Sequence, residues 1–279
     1  MKFTFGPETR PLDGFTIKRA IHRGGFGEVY YAVTDAGKEV ALKLLHNNLE
    51  VELRGVSQCL NLKHPNLVTI FDIRQDSERD HWIVMEYVGG QSLHDALQQH
   101  PQGMPLQQVL NWLTGMTSGL SFLHDRGLVH RDLKPANIFL TSRGPKILDF
   151  GLAKAAGSEA GGDAGADVDE AFTLDGPLSV AGQIVGTVPY MAPEQITGAA
   201  VDARADLFAL GVLAYELATG THPFKADTPM ATVARILERE AEPIAQRRLD
   251  MPPSAAAVID RCLRKRPDDR FASARDVVT

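Results

Sequence analysis

Apolar positions recur at two different periods along the chain, and the change falls near Gly90. Before it the runs are short and strand-like. Phe15-Thr16-Ile17 leads into a glycine turn, Glu28 to Val33 reads as a strand, Asp35-Ala36-Gly37-Lys38 as a hairpin turn, and Glu39 to Leu44 as the next strand. A helix is expected from about Leu49 to Asn61. Two more strands are expected near Val68–Ile73 and His81–Tyr87, split by the charged turn Gln75 to Asp80. Beyond Gly90 the spacing becomes three and four: Leu106, Val109, Leu110, Leu113, Met116, Leu120 and Leu123 form one helical stripe. Leu207 to Ala218 is the longest strongly apolar segment, about half a membrane span in length and carrying Glu216, and reads as a buried core helix. Val277-Val278-Thr279 falls inside what reads as a final helix, so more protein is expected beyond it.

This pattern predicts a small β-rich part followed by a larger helical part, with Glu86-Tyr87-Val88-Gly89-Gly90 joining them. A length of 279 residues suits one large domain or two tightly joined lobes, and a hydrophobic fraction of 44% supplies a sizeable core. The formal charge of −6, from 29 basic and 35 acidic residues, does not suggest a nucleic-acid footprint. Cys59 and Cys262 follow no metal-ligand spacing and are too few for a disulfide framework, which fits a reducing cytoplasm and core thiols. Met1-Lys2-Phe3 begins no secretory signal, and no membrane segment is read in the chain.

One stretch departs from both periods. Residues 155–171, AAGSEAGGDAGADVDEA, are rich in Ala, Gly and Asp and carry no apolar rhythm, so disorder or high mobility is the expectation there.

The chemistry concentrates in His130-Arg131-Asp132-Leu133-Lys134-Pro135-Ala136-Asn137, followed by Asp149-Phe150-Gly151. An acid, a lysine, an asparagine and a second acid are what phosphoryl transfer onto a hydroxyl requires. Asp132 can accept the hydroxyl's hydrogen bond and proton, Lys134 can neutralise charge on the moving group, and Asn137 and Asp149 supply hard oxygens for Mg2+. The string resembles the catalytic loop and metal-binding motif of the Hanks-type, eukaryotic-like Ser/Thr protein kinases. The likeness extends over about residues 15 to 279, with residues 1–14 as a lead-in. His64-Pro65-Asn66-Leu67-Val68 and Pro189-Tyr190-Met191-Ala192-Pro193-Glu194-Gln195 look most like bacterial members.

The resemblance implies an α+β, bilobal kinase fold: a β-rich N-lobe over 15–85 with one main helix, a hinge at 86–90, a mostly helical C-lobe over 91–279, and an activation segment over 149–194. At 46 residues that segment is long for the family. It also implies MgATP, with Mn2+ able to substitute, bound between the lobes. Ile21-His22-Arg23-Gly24-Gly25-Phe26-Gly27-Glu28-Val29 resembles the glycine-rich loop, where glycines let backbone amides approach phosphates. Gly24 and Gly27 match the family frame, but His22 stands at its first glycine. Val40-Ala41-Leu42-Lys43 resembles the strand whose lysine holds the α- and β-phosphates. Lys43 then needs a helix carboxylate; Glu52 is favoured over Glu50, although the usual spacing falls on Gly55. Glu86 and Val88 would bond the adenine edge through backbone groups. Met85 would guard the pocket behind it, Val29, Ala41 and Phe139 would sandwich the ring, and Ser92 falls where the family places a ribose contact.

Further roles are implied in the same way. His130 would pack beneath the metal motif, and Arg131 would receive a phosphate from the activation segment, with Ser179, seven residues before Gly186, and Thr173 as candidate acceptors. Thr187 would bond Asp132 and Lys134 and brace a substrate hydroxyl, favouring serine and threonine. Glu194 should pair with Arg270, and Asp206 should hold the catalytic-loop backbone. The expected partners are ATP, protein substrates with Ser/Thr acceptors, and a second copy of the chain offering Ser179 for trans-autophosphorylation. The expected location is the cytoplasm, with membrane anchoring open through regions outside this chain. A pseudokinase scaffold is the alternative; a small-molecule phosphotransferase ranks last, since such relatives lack the Lys134 and Thr187-to-Glu194 patterns.

Overall fold

The structure, a computed structural model, describes residues 3–24, 27–46, 49–149, 154–155 and 188–277, without the side chains of 49–52 and 154–155. It divides into two compact units, Met1–Gly90 with Leu148–Leu152, and Gln91–Ile147 with Ala153–Thr279.

The first unit is built on β1 (Phe15–Gly24), β2 (Gly27–Thr34), β3 (Glu39–Leu45), α1 (Leu49–Gln58), β4 (Ile70–Gln75) and β5 (His81–Glu86). The five strands form one antiparallel sheet in the order β1-β2-β3-β5-β4. Alternation sorts the side chains between its faces. Tyr30, Ala32, Val40, Leu42, Leu44, Trp82 and Val84 share one face with Leu12, Phe15 and Ile17 in a buried apolar cluster. Phe3 and Phe5, from the lead-in segment, pack against it. The alternating positions Val29, Ala41 and Lys43 therefore fall on the other face. Val29 is the cross-strand partner of Lys43, and Ala41 that of Met85.

Several boundaries differ from those read in the sequence. β1 runs on to Gly24 because its register continues against β2 up to the Gly24–Gly27 pair. α1 stops at Gln58, short of Asn61, where φ is +59° and the chain turns toward β4; Asn61 N donates to the Ile70 carbonyl. β4 begins at Ile70 and not at Val68, since Val68 is buried but outside the ladder.

The second unit holds β6 (Gln91–Ser92), α2 (Leu93–Gln99), α3 (Leu106–His124), β7 (Leu128–Val129), β8 (Ile138–Thr141), β9 (Gly144–Ile147), β10 (Lys154–Ala155), α4 (Pro193–Ile196), α5 (Arg204–Thr219), α6 (Pro229–Glu238), α7 (Ile244–Arg247) and α8 (Pro253–Cys262). Two small sheets, β6-β8-β9 and β10-β7, carry the loops around the chemistry. α5 is the central helix: every residue from Leu207 to Tyr215 is buried, as this apolar run requires, and Asp206 before it is buried as well. It ends at Gly220 with φ +71°, where a Cβ would run into the Pro101 carbonyl, so glycine is needed both as αL cap and for space. The expected final helix is, among the described residues, only a single 3₁₀ turn over Arg275–Val277. Both cysteines are buried and free; burial pushes the Cys59 thiol up to about 11 and Cys262 to about 12, as expected of inert core thiols. Among the described residues no helix is long and apolar enough to cross a membrane.

Candidate active site

In the first unit, β1 and β2 form the glycine hairpin. Gly27, at φ +145°, passes so close to β3 that a Cβ would run into the Leu44 carbonyl, which accounts for glycine there. His22 is exposed, and its ring Nε2 lies 3.1 Å from where a Cβ on Gly24 would stand. Arg23 turns its Nε to Glu28 Oε1 at 3.2 Å. On β3, Lys43 is nearly buried at 7% exposure, and its Nζ donates to Asp149 Oδ1 at 2.7 Å. Asp149 holds φ +62°, an unusual conformation for a residue with a side chain and one common at functional sites. Ala41 is buried, and Val29, Met85 and Val88 are half-buried. Glu86 uses its own N–H on the Thr69 carbonyl, at 2.8 Å.

In the second unit, the loop after β7 gathers a set of polar side chains of its own. Asp132 is buried, and Lys134 Nζ donates to both its carboxylate oxygens, at 3.0 and 2.8 Å. Asn137 Nδ2 donates to the Asp132 carbonyl at 2.9 Å and to its Oδ2 at 3.0 Å. That directs the amide's Oδ1, the atom a hard cation would take, away from the carboxylate. Asp206, at the start of α5, accepts the backbone N–H groups of His130 and Arg131, each at 2.8 Å. Arg131 is thereby held at φ +66°. Burial would raise the Asp206 carboxyl, but its bond and charge pairing with His124, helped by His130, outweigh this and hold it below the usual range. His130 is fully buried and its Nδ1 meets the Asp132 N–H at 3.3 Å. Ser92 caps α2 by accepting from Asp95 N, and Phe139 is half-buried in β8, paired with Ser92. Glu194 and Arg270, both buried, form a two-pronged pair at 2.6 and 2.8 Å.

Three supports went unread in the sequence. Gln195 Nε2 donates to the Arg131 carbonyl at 2.8 Å and so, from α4, grips the loop that carries Asp132. His124, ending α3, donates into Asp206 at 2.8 Å. Tyr190 bonds Glu216 at 2.6 Å, and His222 Nε2 meets the Pro189 carbonyl at 2.9 Å, anchoring the turn Val188–Tyr190 onto α5. Glu216 inside an otherwise apolar helix was the one visible signal, because a buried carboxyl needs a partner.

Gly25, Phe26, Phe150, Gly151, Thr173, Ser179 and Thr187 lie outside the described residues, as do the side chains of Glu50 and Glu52 and nearly all of the Ala/Gly/Asp stretch. Among the described residues no group of three or more His, Cys, Asp or Glu is placed to hold a metal. Mg2+ does not require such a group, since it takes one or two protein oxygens and completes its shell with substrate phosphates and water.

Residues 15–279 match the family model described as "Protein kinase domain". The chain is similar to the serine/threonine-protein kinase pkn3 of Myxococcus xanthus, 36% identical over 278 residues, covering 93% of this chain and 48% of the relative. It is 34% identical to the serine/threonine-protein kinase PksC of Streptomyces coelicolor over 276 residues, covering 93% and 47%. It is 37% identical to the serine/threonine-protein kinase Pkn1 of M. xanthus over 277 residues, covering 93% and 36%. The chain thus spans half or less of the length of these curated relatives.

Proposed function

Because the chain belongs to the protein kinase family, we propose that it transfers the γ-phosphoryl group of ATP to serine and threonine hydroxyls of proteins. The observation that carries this reading is the buried Asp132 carboxylate, held by Lys134 and Asn137 in one loop and braced from α5 by Asp206. A carboxylate fixed in this way orients an incoming hydroxyl and accepts its proton as the phosphorus–oxygen bond forms. Lys134, beside it, offsets the negative charge on the transferring group. Lys43 supplies a fixed cation for the nucleotide phosphates. Asn137 and Asp149 would hold Mg2+, which when bound neutralises the phosphate oxygens and polarises the group under attack. The acceptor's serine or threonine character rests on Lys134 and the implied partner Thr187. Activation through Ser179 or Thr173, docking on Arg131, and transfer between two copies belong to the same reading.

A second reading, nucleotide binding without transfer, is favoured by one observation: His22 replaces the first loop glycine and lays its ring beside Gly24. Incubation of the purified chain with MgATP, read by intact mass beside an Asp132→Asn control, separates the two. Phosphate incorporation lost in the control is the expected result. Nucleotide binding without incorporation, with or without the substitution, overturns the transfer reading.

A further inference from the structure

Glu28 has no exposed side-chain surface, yet it is a carboxylate in the small unit's sheet. On β2 it alternates with Val29, so it points to the face opposite Val29 and Lys43. A buried carboxylate adds nothing to an apolar core and costs several kcal/mol unless it is paired. Here it is addressed from three separate segments. Thr4, in the lead-in, donates its backbone N–H to Oε2 at 2.9 Å and its hydroxyl to Oε1 at 3.1 Å. Arg23, on the hairpin and register partner of Glu28, brings Nε to 3.2 Å. His46, between β3 and α1, brings Nε2 to 3.6 Å. The Tyr30 hydroxyl also donates to it, and the same hydroxyl accepts the Phe5 N–H at 3.2 Å. Burial raises the Glu28 carboxyl, but the bonds from Tyr30 and Thr4 and the Arg23 charge outweigh it and keep it below the ordinary range, an anion. The lead-in is seated independently by ring contacts, Phe3 on Tyr30 at 5.9 Å and Phe5 on Trp82 at 5.4 Å.

We propose that Glu28 is a positioning residue for nucleotide binding: it knots the lead-in segment Phe3–Phe5 to the glycine hairpin and holds the hairpin from behind. This rests on the kinase reading above. A glycine hairpin is conformationally loose, and ordering it opposes phosphate binding. Fixing Arg23 beforehand removes part of that cost, so the lead-in contributes to nucleotide affinity without touching the nucleotide.

The test compares the full chain with Glu28→Gln, which keeps shape and loses charge. Calorimetric Kd for MgADP and the KM for ATP should both rise roughly tenfold, while kcat stays within about twofold. Thr4→Val, at an exposed position, removes one donor and should shift the same two quantities about threefold; it decides the question if Glu28→Gln gives no cooperative melt. A folded variant whose Kd and KM match the parent, or one whose kcat and melting temperature fall with KM unmoved, overturns the proposal. If the parent binds MgADP but transfers no phosphate, the kinase reading fails and the Kd comparison still decides the role of Glu28. A parent that binds no MgADP overturns both.

Discussion

Lys43 Nζ and Asp149 Oδ1 stand 2.7 Å apart within one compact unit, although 106 positions separate them in the chain. The lysine is almost wholly buried and the acid is partly open, so the pair sets a cation in place and leaves carboxylate surface available. Lys43→Met and Asp149→Ala should each lower phosphoryl transfer by about a hundredfold or more, through loss of phosphate and metal electrostatics. Circular dichroism and thermal melting should stay close to the parent. A correctly folded, fully active Asp149→Ala protein would remove Asp149 from the mechanism.

The Glu194–Arg270 pair is of a different kind. Both side chains are buried, and Arg270 also donates to the carbonyls of Arg204, Arg264 and Lys265. Removing the acid strands a buried guanidinium, so Glu194→Ala should cost about 3–5 kcal/mol in urea unfolding. Arg270→Lys should recover little of the stability of Arg270, since an ammonium cannot form the two-pronged bond.

Asp206→Asn tests the support of the catalytic loop. The amide offers one acceptor where the carboxylate offered two, and one of the His130 and Arg131 N–H groups is left facing a donor. The expected outcome is a loss of about 1–3 kcal/mol in stability with a fall in kcat larger than any change in the KM for ATP. Steady-state kinetics beside urea melts would show it.

His222 gives a pH dependence with a definite sign. Burial lowers it to about 4 from 6.5, despite the favourable bond to the Pro189 carbonyl. Its Nδ1 accepts the Phe224 N–H at 3.1 Å, which only the neutral ring can do. Between those values the unfolded chain takes up a proton that the folded chain refuses. Stability from this site is therefore full above pH 6.5 and declines as pH falls toward 4, by about 3 kcal/mol at most. Urea unfolding across that range should be flatter for His222→Gln than for the parent; parallel profiles would discard the assignment.

The two periods, the central apolar helix and the chemical identity of the loop residues are legible in the residue order alone. All of these are local: alternation, three-four spacing and side-chain type are carried by neighbours in the chain. Residue order also placed Ala41 and Lys43 on alternate positions of one strand, from which a shared face follows, whereas Val29 joins that face only through the register of β2 against β3. Relationships across long separations came only with the packing of the folded chain. The Gln195 grip on Arg131, the His124 bond to Asp206 and the burial of Glu28 beneath Thr4 depend on which distant segments pack together, and single polar residues leave no period to read. Boundaries moved for the same reason: α1 ends where Asn61 turns to meet β4, and β1 extends because its pairing with β2, through two register shifts, runs on to Gly24.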